Sequence, residues 1–336
     1  MKTTTIGALH LPVARLGLGC MSFAGVYGNV DEDEVSRTVQ AALDLGANLF
    51  DTADVYGAGV SEKMLGQALR GRRQEAVICT KFGNIDHAGA APVAEAYAGR
   101  WETCGRPDYV RSACEKSLRN LGVETIDLYY VHRIDPTVPI EETIGAMADL
   151  VQAGKIRAIG LSEAGAETIR RAHATHPLAA LQSEYSLWSR EPEDWAIPLC
   201  QELGMAFVGY SPLGRGFLTG AVPPLNELSE QDSRRHQPRF EPQNYAANRR
   251  LLDILDEAAI SHGCSKAQVA LAWMLAQAPN VLAIPGSKSV RHLRENVASE
   301  RISLTTVERE TISAAFPRTA ALGERYPDVQ MTRIGL

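Results

Sequence analysis

No stretch of this 336-residue chain approaches the roughly 18 apolar residues that a bilayer-crossing helix needs. Its start, Met1 to Gly7, lacks the unbroken apolar core of a secretory leader. Both absences point to the cytoplasm. An excess of one charge is missing too: 34 basic and 40 acidic residues are interspersed and leave a formal net charge of −6. That excludes the basic field of a nucleic-acid binder or of a polybasic membrane anchor. Cysteine never occurs as Cys-x-x-Cys; Cys20, Cys79, Cys104, Cys114, Cys200 and Cys264 are scattered, several in apolar surroundings. With no His/Cys/carboxylate cluster at zinc-ligand spacing, they read as reduced, buried thiols, not as a metal site or a disulfide framework. A Gly-x-Gly-x-x-Gly turn is absent as well, since Gly17 and Gly19, and Gly214, Gly216 and Gly220, have other spacings. That argues against a doubly wound dinucleotide-binding sheet. Internal repeats, low-complexity tracts and linkers are also lacking, so residues 1–336 read as one domain.

What is present is a regular alternation of short apolar runs and amphipathic stretches. Strands are expected at Leu16–Gly19, Leu49–Phe50, Ala76–Thr80, Ile126–Val131, Ile156–Leu161, Ala179–Leu181, Ala206–Gly209 and Val281–Ile284. Helices are expected between them, over Asp31–Leu45, Glu62–Leu69, Tyr109–Asn120, Ile140–Val151, Ala166–Ala174, Trp195–Leu203, Arg249–His262 and Val290–Val297. Gly154 and Gly263 stand where helices should stop, and Ser265 to Gln268 has the form of a capping box, as does Thr305 to Glu308. Eight strands alternating with helices predict an α/β fold, a (β/α)₈ TIM barrel with long loops at its C-terminal mouth. Two segments exceed ordinary loop length, Gly83–Pro107 and the polar, basic Pro212–Ala247; such loops are often lids or binding loops.

In such a barrel the chemistry belongs at the C-terminal ends of the strands. Those ends carry Gly19-Cys20-Met21, Asp51, Lys81, His132, Ser162, Gln182, Tyr210 and Gly286-Ser287, with Tyr56 just beyond Asp51. A carboxylate, a phenol, an ammonium and an imidazole gathered on one rim make a proton-transfer site. Tyr56 is the expected general acid. A nearby Lys81 ammonium, itself held by Asp51, is expected to lower the phenol's pKa, and His132 to orient the substrate or share the proton.

The motifs Leu49-Phe50-Asp51-Thr52-Ala53-Asp54-Val55-Tyr56-Gly57, Val77 to Gly83, Leu128 to Arg133, Leu181 to Tyr185, Tyr210 to Gly216 and Ile284 to Lys288 together resemble the aldo-keto reductases, from about Leu16 to Asn296. Leu161 to Ala164, Gln182 to Trp188 and Gly323 to Pro327 resemble the branch holding pyridoxal reductases and "auxin-induced protein" homologues. The resemblance implies NADPH-dependent reduction of aldehydes or ketones to alcohols, with Asp51, Tyr56, Lys81 and His132 as the catalytic tetrad. It implies that Tyr210 stacks on the nicotinamide of NADPH/NADP+ while Ser162 and Gln182 bond its carboxamide. Many relatives have Ser-Asn where this chain has Ser162-Glu163, so the amide donor is lost and Glu163 stays unassigned. Ser211, Pro212, Leu213, Gly214, Arg215 and Gly216 look like the pyrophosphate strap, and Gly19, Cys20 and Met21 line the cofactor's path. Gly286, Ser287 and Lys288 lead into a helix, with Lys288 on the 2′-phosphate, His292 nearby, and Glu295 and Asn296 on the adenine. The partner is a small carbonyl compound, with no nucleic acid and no membrane. Met21, Trp101, Tyr185 and Trp188 are candidate walls of the substrate pocket. Two other readings stay open: a cofactor-sensing subunit of the potassium-channel β type with little turnover, and a sugar-phosphate isomerase barrel.

Overall fold

A computed structural model describes residues 1–6, 12–85 and 102–336. Eight parallel strands run in chain order around a sheet: β1 (Leu18–Gly19), β2 (Leu49–Asp51), β3 (Val77–Phe82), β4 (Ile126–Val131), β5 (Ile156–Ser162), β6 (Leu178–Glu184), β7 (Ala206–Tyr210) and β8 (Val281–Ile284). The first and last strands meet. Leu16 pairs with Ala283 and Gly19 with Gly286, and Gly17 N–H donates to the Ala283 carbonyl at 2.8 Å. The sheet is therefore a closed barrel, which leaves no unpaired edge.

The helices form where polar and apolar residues recur with helical period, and their ends are chemically marked. They are α1 (Glu32–Asp44), α2 (Val60–Ala68), α3 (Pro107–Leu121), α4 (Ile140–Gln152), α5 (Ala166–Thr175), α6 (Ala196–Glu202), α7 (Pro242–Asn248), α8 (Asp253–His262), α9 (Lys266–Leu275), α10 (Val290–Ala298) and α11 (Thr306–Ala315). Asp31 caps α1 by accepting from the N–H groups of Asp33 and Glu34, and Pro107 opens α3. Both expected capping boxes form, at Ser265 and Thr305. The stretch from Arg249 is not continuous helix: Arg249–Leu252 is a 3₁₀ turn and the α-helix starts at Asp253.

Strand parity decides what faces inward. Leu49, Val77, Cys79, Leu128, Tyr130, Ala158, Ala180, Ala206, Val208, Leu282 and Ile284 make the barrel interior, while Phe50, Ile78, Phe82, Tyr129, Leu161 and Phe207 pack outward under the helices. Ile6 and Val13 join the inner cluster beside the first residues of β2 and β3, so the antiparallel pair Thr3–Thr4 and Val13–Ala14 plugs the N-terminal end. Two residues beyond the inner apolar layer, the same parity brings Asp51, Lys81, His132, Ser162, Gln182 and Tyr210 to the other end. Gly160 is small because a Cβ there would lie 2.4 Å from the Tyr130 ring.

Strand β6 runs to Glu184, further than its apolar stretch suggests, because Gln182, Ser183 and Glu184 continue the ladder onto Val208, Gly209 and Tyr210. The long segment after β7 is not an open loop. It folds into short 3₁₀ turns and α7, and its Phe217, Phe240 and Tyr245 pack with Trp188, whose ring stacks on Phe217 at 3.9 Å. Its arginines are engaged: Arg235 donates to the carbonyls of Leu225 and Leu228, and Arg239 to those of Gly323 and the Ser189 hydroxyl. Of the loop 83–107, residues 86–101, including Trp101, lie outside the described residues.

Glu62, fully buried on α2, ties three elements together by accepting from Thr80 Oγ1 at 2.7 Å and Asn120 Nδ2 at 2.8 Å. Beside it, a Cβ at Gly66 would sit 2.1 Å from the Leu121 carbonyl oxygen, so α2 and the end of α3 approach to backbone contact. Gly66→Ala should therefore lower stability by about 1–3 kcal/mol despite alanine's better helix propensity. Urea unfolding checks this: the midpoint falls with an unchanged slope. A midpoint at or above that of the unaltered chain would show that the helices do not cross this closely.

Candidate active site

The deepest polar contact in the barrel mouth is an ion pair. Lys81 Nζ, with no exposed surface, donates to Asp51 Oδ1 at 2.5 Å and to the Thr52 carbonyl at 2.7 Å. Gln182, arriving from the far side on β6, donates its Nε2 to Asp51 Oδ2 at 2.8 Å. Burial raises the Asp51 pKa, while Lys81 opposes that rise. Tyr56 sits on the turn after β2, half-buried, with Lys81 Nζ 5.2 Å from its ring centroid. The His132 ring meets that of Tyr56 edge-on at 5.8 Å between centroids. The four groups expected at strand ends are thus neighbours.

The electrostatics differ from expectation at Tyr56. Burial, with the Asp51 charge, pushes the phenol well above its ordinary pKa, and the cation that opposes the rise is Arg133. The lysine's nearest partners are Asp51 and the Thr52 carbonyl. Burial also drives the His132 pKa well below the usual imidazole value, assisted by Arg133 and Lys81. Near neutral pH the site therefore holds a protonated phenol and a neutral imidazole.

Asp51, Tyr56 and His132 open onto a cavity of about 630 Å³, a size ordinary for a cofactor site. Of the residues named from sequence, Gly19, Met21, Ser162, Gln182, Tyr210, Ser211, Pro212, Leu213, Arg215, Gly216, Gly286, Ser287, Lys288, His292, Glu295 and Asn296 are on its wall. Cys20 and Gly214 are not. The Cys20 side chain has the outward parity of Leu18, lies fully buried and donates to the Leu18 carbonyl; Gly214 packs on the Trp188 ring. Lys81 lies behind the wall, covered by its partners. Of the proposed pocket residues, Met21 lines the cavity, but Tyr185 and Trp188 do not: Tyr185 is buried and donates to Glu193 Oε1, and Trp188 belongs to the outer aromatic cluster.

The strap after β7 is a tight turn. Ser211, Gly214, Arg215 and Gly216 all have positive φ, at 49°, 56°, 55° and 93°, and the Gly214 and Gly216 N–H groups donate within it to the carbonyls of Ser211 and Leu213 at 2.8 and 3.0 Å. Arg215 is held by a buried bond to Glu184 Oε2 at 3.0 Å. At the far end the wall carries Arg234, Lys288 and Arg291. Lys288 Nζ donates to the carbonyls of Tyr27, Gly28 and Asn29 at 3.2, 3.2 and 2.5 Å, bracing the loop after β1 across the cavity. Partial burial lowers its pKa. Ser289 caps α10 by accepting from the His292 N–H. A chain of cations opposite a glycine-rich turn fits a ligand with several phosphate oxygens.

Sequence reasoning missed several parts of the wall, among them Arg133 beside Ser162. Tyr27 lines the cavity from the loop after β1, its phenol pushed up to about 12 by burial, with Arg234 5.1 Å above its ring. The C-terminal segment contributes Tyr326, Gln330 and Arg333. Its anchor is the unassigned Glu163, held at φ 55°. The Glu163 carboxylate accepts from Tyr210 OH at 2.9 Å, from Glu184 N–H at 2.8 Å and from Arg325 at 3.2 and 3.3 Å, and Tyr210 OH lies 2.8 Å from Tyr326 OH. Gly335 N–H donates to the Glu163 carbonyl at 2.8 Å. The side chain is off the cavity wall. The only local hint was the carboxylate standing where relatives have an amide; nothing in the sequence says that residues 325–335 return to it.

Comparison with known proteins agrees with this arrangement. Residues 15–316 match the Aldo/keto reductase family model. A probable aldo-keto reductase 1 from Glycine max is 41% identical over 328 residues, which cover 97% of this chain and 92% of that protein. Among solved structures, a glycerol dehydrogenase from Gluconobacter oxydans superposes with a TM-score of 0.83 at 31% identity, covering 94% of each chain. An aldo/keto reductase from Klebsiella pneumoniae in complex with NADP and acetate gives 0.72 at 26% identity, covering 97% of this chain and 99% of that one. With its closed barrel and with Asp51, Tyr56, Lys81 and His132 gathered at the mouth, this chain belongs to the aldo/keto reductase family.

Proposed function

We propose that this protein reduces aldehydes or ketones to alcohols with NADPH, and that Tyr56 is its general acid. The reading rests above all on the meeting of Tyr56 and His132, ring against ring, over the buried Lys81–Asp51 pair and at one end of the long cavity. NADPH, when bound, supplies the hydride. Of the residues on the cavity wall, Tyr210 would face the nicotinamide, Ser162 and Gln182 would hold the carboxamide, the strap 211–216 would receive the pyrophosphate, and Lys288 with Arg291 would meet the 2′-phosphate. His132, neutral, points the substrate carbonyl toward the phenol. As the carbonyl oxygen gains charge, the Tyr56 O–H passes its proton to it and the phenolate is reprotonated from solvent. Lys81, fixed by Asp51, offsets the phenolate's charge. The six free thiols suit a reducing cytoplasm.

An NADPH-oxidation screen over pyridoxal, aromatic and aliphatic aldehydes, quinones and keto-sugars tests the reading. Cofactor binding with no consumption across that panel would favour a sensor over an enzyme. Within an active assay, Tyr56→Phe should leave NADPH affinity near its original value and lower kcat by at least ~10²-fold, the low end for a general acid. Retention of most of kcat would remove Tyr56 from the proton-donor role.

The pH dependence follows from the directions of the shifts. The phenol's raised pKa keeps it protonated, and the imidazole's lowered pKa keeps it neutral, throughout the neutral range. The kcat/KM for reduction should accordingly be flat between about pH 6.5 and 8.5. A fall within that window as pH rises would mean that the phenol ionises below its ordinary value in the free enzyme.

For cofactor choice, Lys288→Ala should weaken NADPH by about 10-fold or more while leaving NADH nearly unchanged, since only NADPH carries the 2′-phosphate. Fluorescence titration of both cofactors decides this. Equal losses would confine Lys288 to bracing residues 27–29.

A further inference from the structure

A carboxamide presents one acceptor oxygen and two N–H donors, so its site must offer both kinds of partner. Gln182 is already oriented, because its Nε2 donates to Asp51 and its oxygen remains as an acceptor. Donors are scarcer. Glu163, standing where an amide is usual, is an acceptor with its oxygens filled by Tyr210, Arg325 and the Glu184 N–H, and it is off the wall. Beside Ser162 the wall instead carries Arg133, which comes directly after His132. Its Nη1 donates to the His132 carbonyl at 2.7 Å and to Ser162 Oγ at 3.3 Å. A guanidinium has five N–H groups in a fixed fork, so donors remain to face the cavity.

We propose that Arg133 supplies the donor at the carboxamide end that Glu163 does not, and that its fixed positive charge makes the site bind NADPH in preference to NADP+. The proposal deepens the cofactor reading above and rests on it. The local charges support it. The carboxylates of Glu163 and Glu184 are met by the guanidiniums of Arg325, Arg215 and Arg239, with Arg133 as a further cation within reach of Glu163. Asp51 is matched by Lys81, and His132 stays neutral. Among the described residues, this end of the cavity is therefore left with excess positive charge.

The phosphates are the same in both cofactor forms and cancel from the comparison. Only the nicotinamide ring changes, from neutral to +1, so a cation beside it weakens the oxidised form alone. The same charge makes hydride departure somewhat harder. In exchange it favours release of spent cofactor, and product release limits turnover in many enzymes.

The test needs no substrate. Unaltered protein, Arg133→Met and Arg133→Lys are each titrated with NADPH and with NADP+ by calorimetry. The ratio of the two dissociation constants should fall by about 5-fold or more in Arg133→Met, a Coulomb effect reduced by partial exposure and salt. Arg133→Lys, with its charge kept, should hold the ratio within about 2-fold while weakening both forms through loss of the fork. Arg133→Gln is the second neutral variant should the methionine chain not fold. An unchanged ratio in a folded neutral variant overturns the proposal and leaves Arg133 as a strut for Ser162. A ratio lost equally in Arg133→Lys overturns the charge argument. Failure of the unaltered protein to bind either form removes the cofactor site itself, and this inference with it; binding of both with no preference overturns the inference alone.

Discussion

Everything in the barrel mouth is arranged around a lysine that has no contact with water. Burying an ammonium among apolar strands costs several kcal/mol unless its charge and its donors are met. Here Asp51 and the Thr52 carbonyl meet them from the adjacent strand, and Gln182 braces the carboxylate from across the barrel, 131 residues away in sequence. Those contacts exist only if β2, β3 and β6 end at the same height in a closed sheet. Closure, register and the ion pair are thus one constraint. It also sets the rest of the site, because Tyr56 and His132 take their proton states from the low-dielectric space that surrounds the pair.

A second network is centred on Glu163, beside Tyr210 of the cavity wall. Its carboxylate holds the Tyr210 phenol from behind, so the ring faces the cavity with its hydroxyl fixed. Through Arg325 and Tyr326 the same carboxylate brings the end of the chain over the site. Glu163 thus stays off the cavity wall and holds residues that form it. Arg133 links the two networks, donating to the His132 carbonyl and to the hydroxyl of Ser162, which directly precedes Glu163.

The barrel and its mouth were largely legible because both depend on short-range periodicity. Alternate positions in Val77 to Lys81 or Leu128 to His132 must face one way, so a polar residue closing an apolar run points to the mouth. Capping at Ser265 and Thr305 is equally local. The failures share a cause. Cys20 was assigned to the cavity by its neighbours, yet parity turns it outward with Leu18. Tyr185 and Trp188 lie in a motif that ends at the mouth, but bulky rings there pack best against Phe207 and Phe217 in the outer core. The rise of the Tyr56 pKa was not legible at all, since desolvation depends on how much of the chain closes over a group.

The alternation of strand and helix, the inward parity of each strand and the kinds of groups delivered to the mouth follow from residue types within a few positions of one another, and so are written locally in the chain. Which of those groups touch is settled by the folded barrel. That Gln182 reaches Asp51, that Lys288 braces residues 27–29, and that Glu163 holds residues from Arg325 onward all depend on the barrel closing. A closed sheet brings first and last strands together and lets the chain's end return over its middle, and no local pattern encodes those distances.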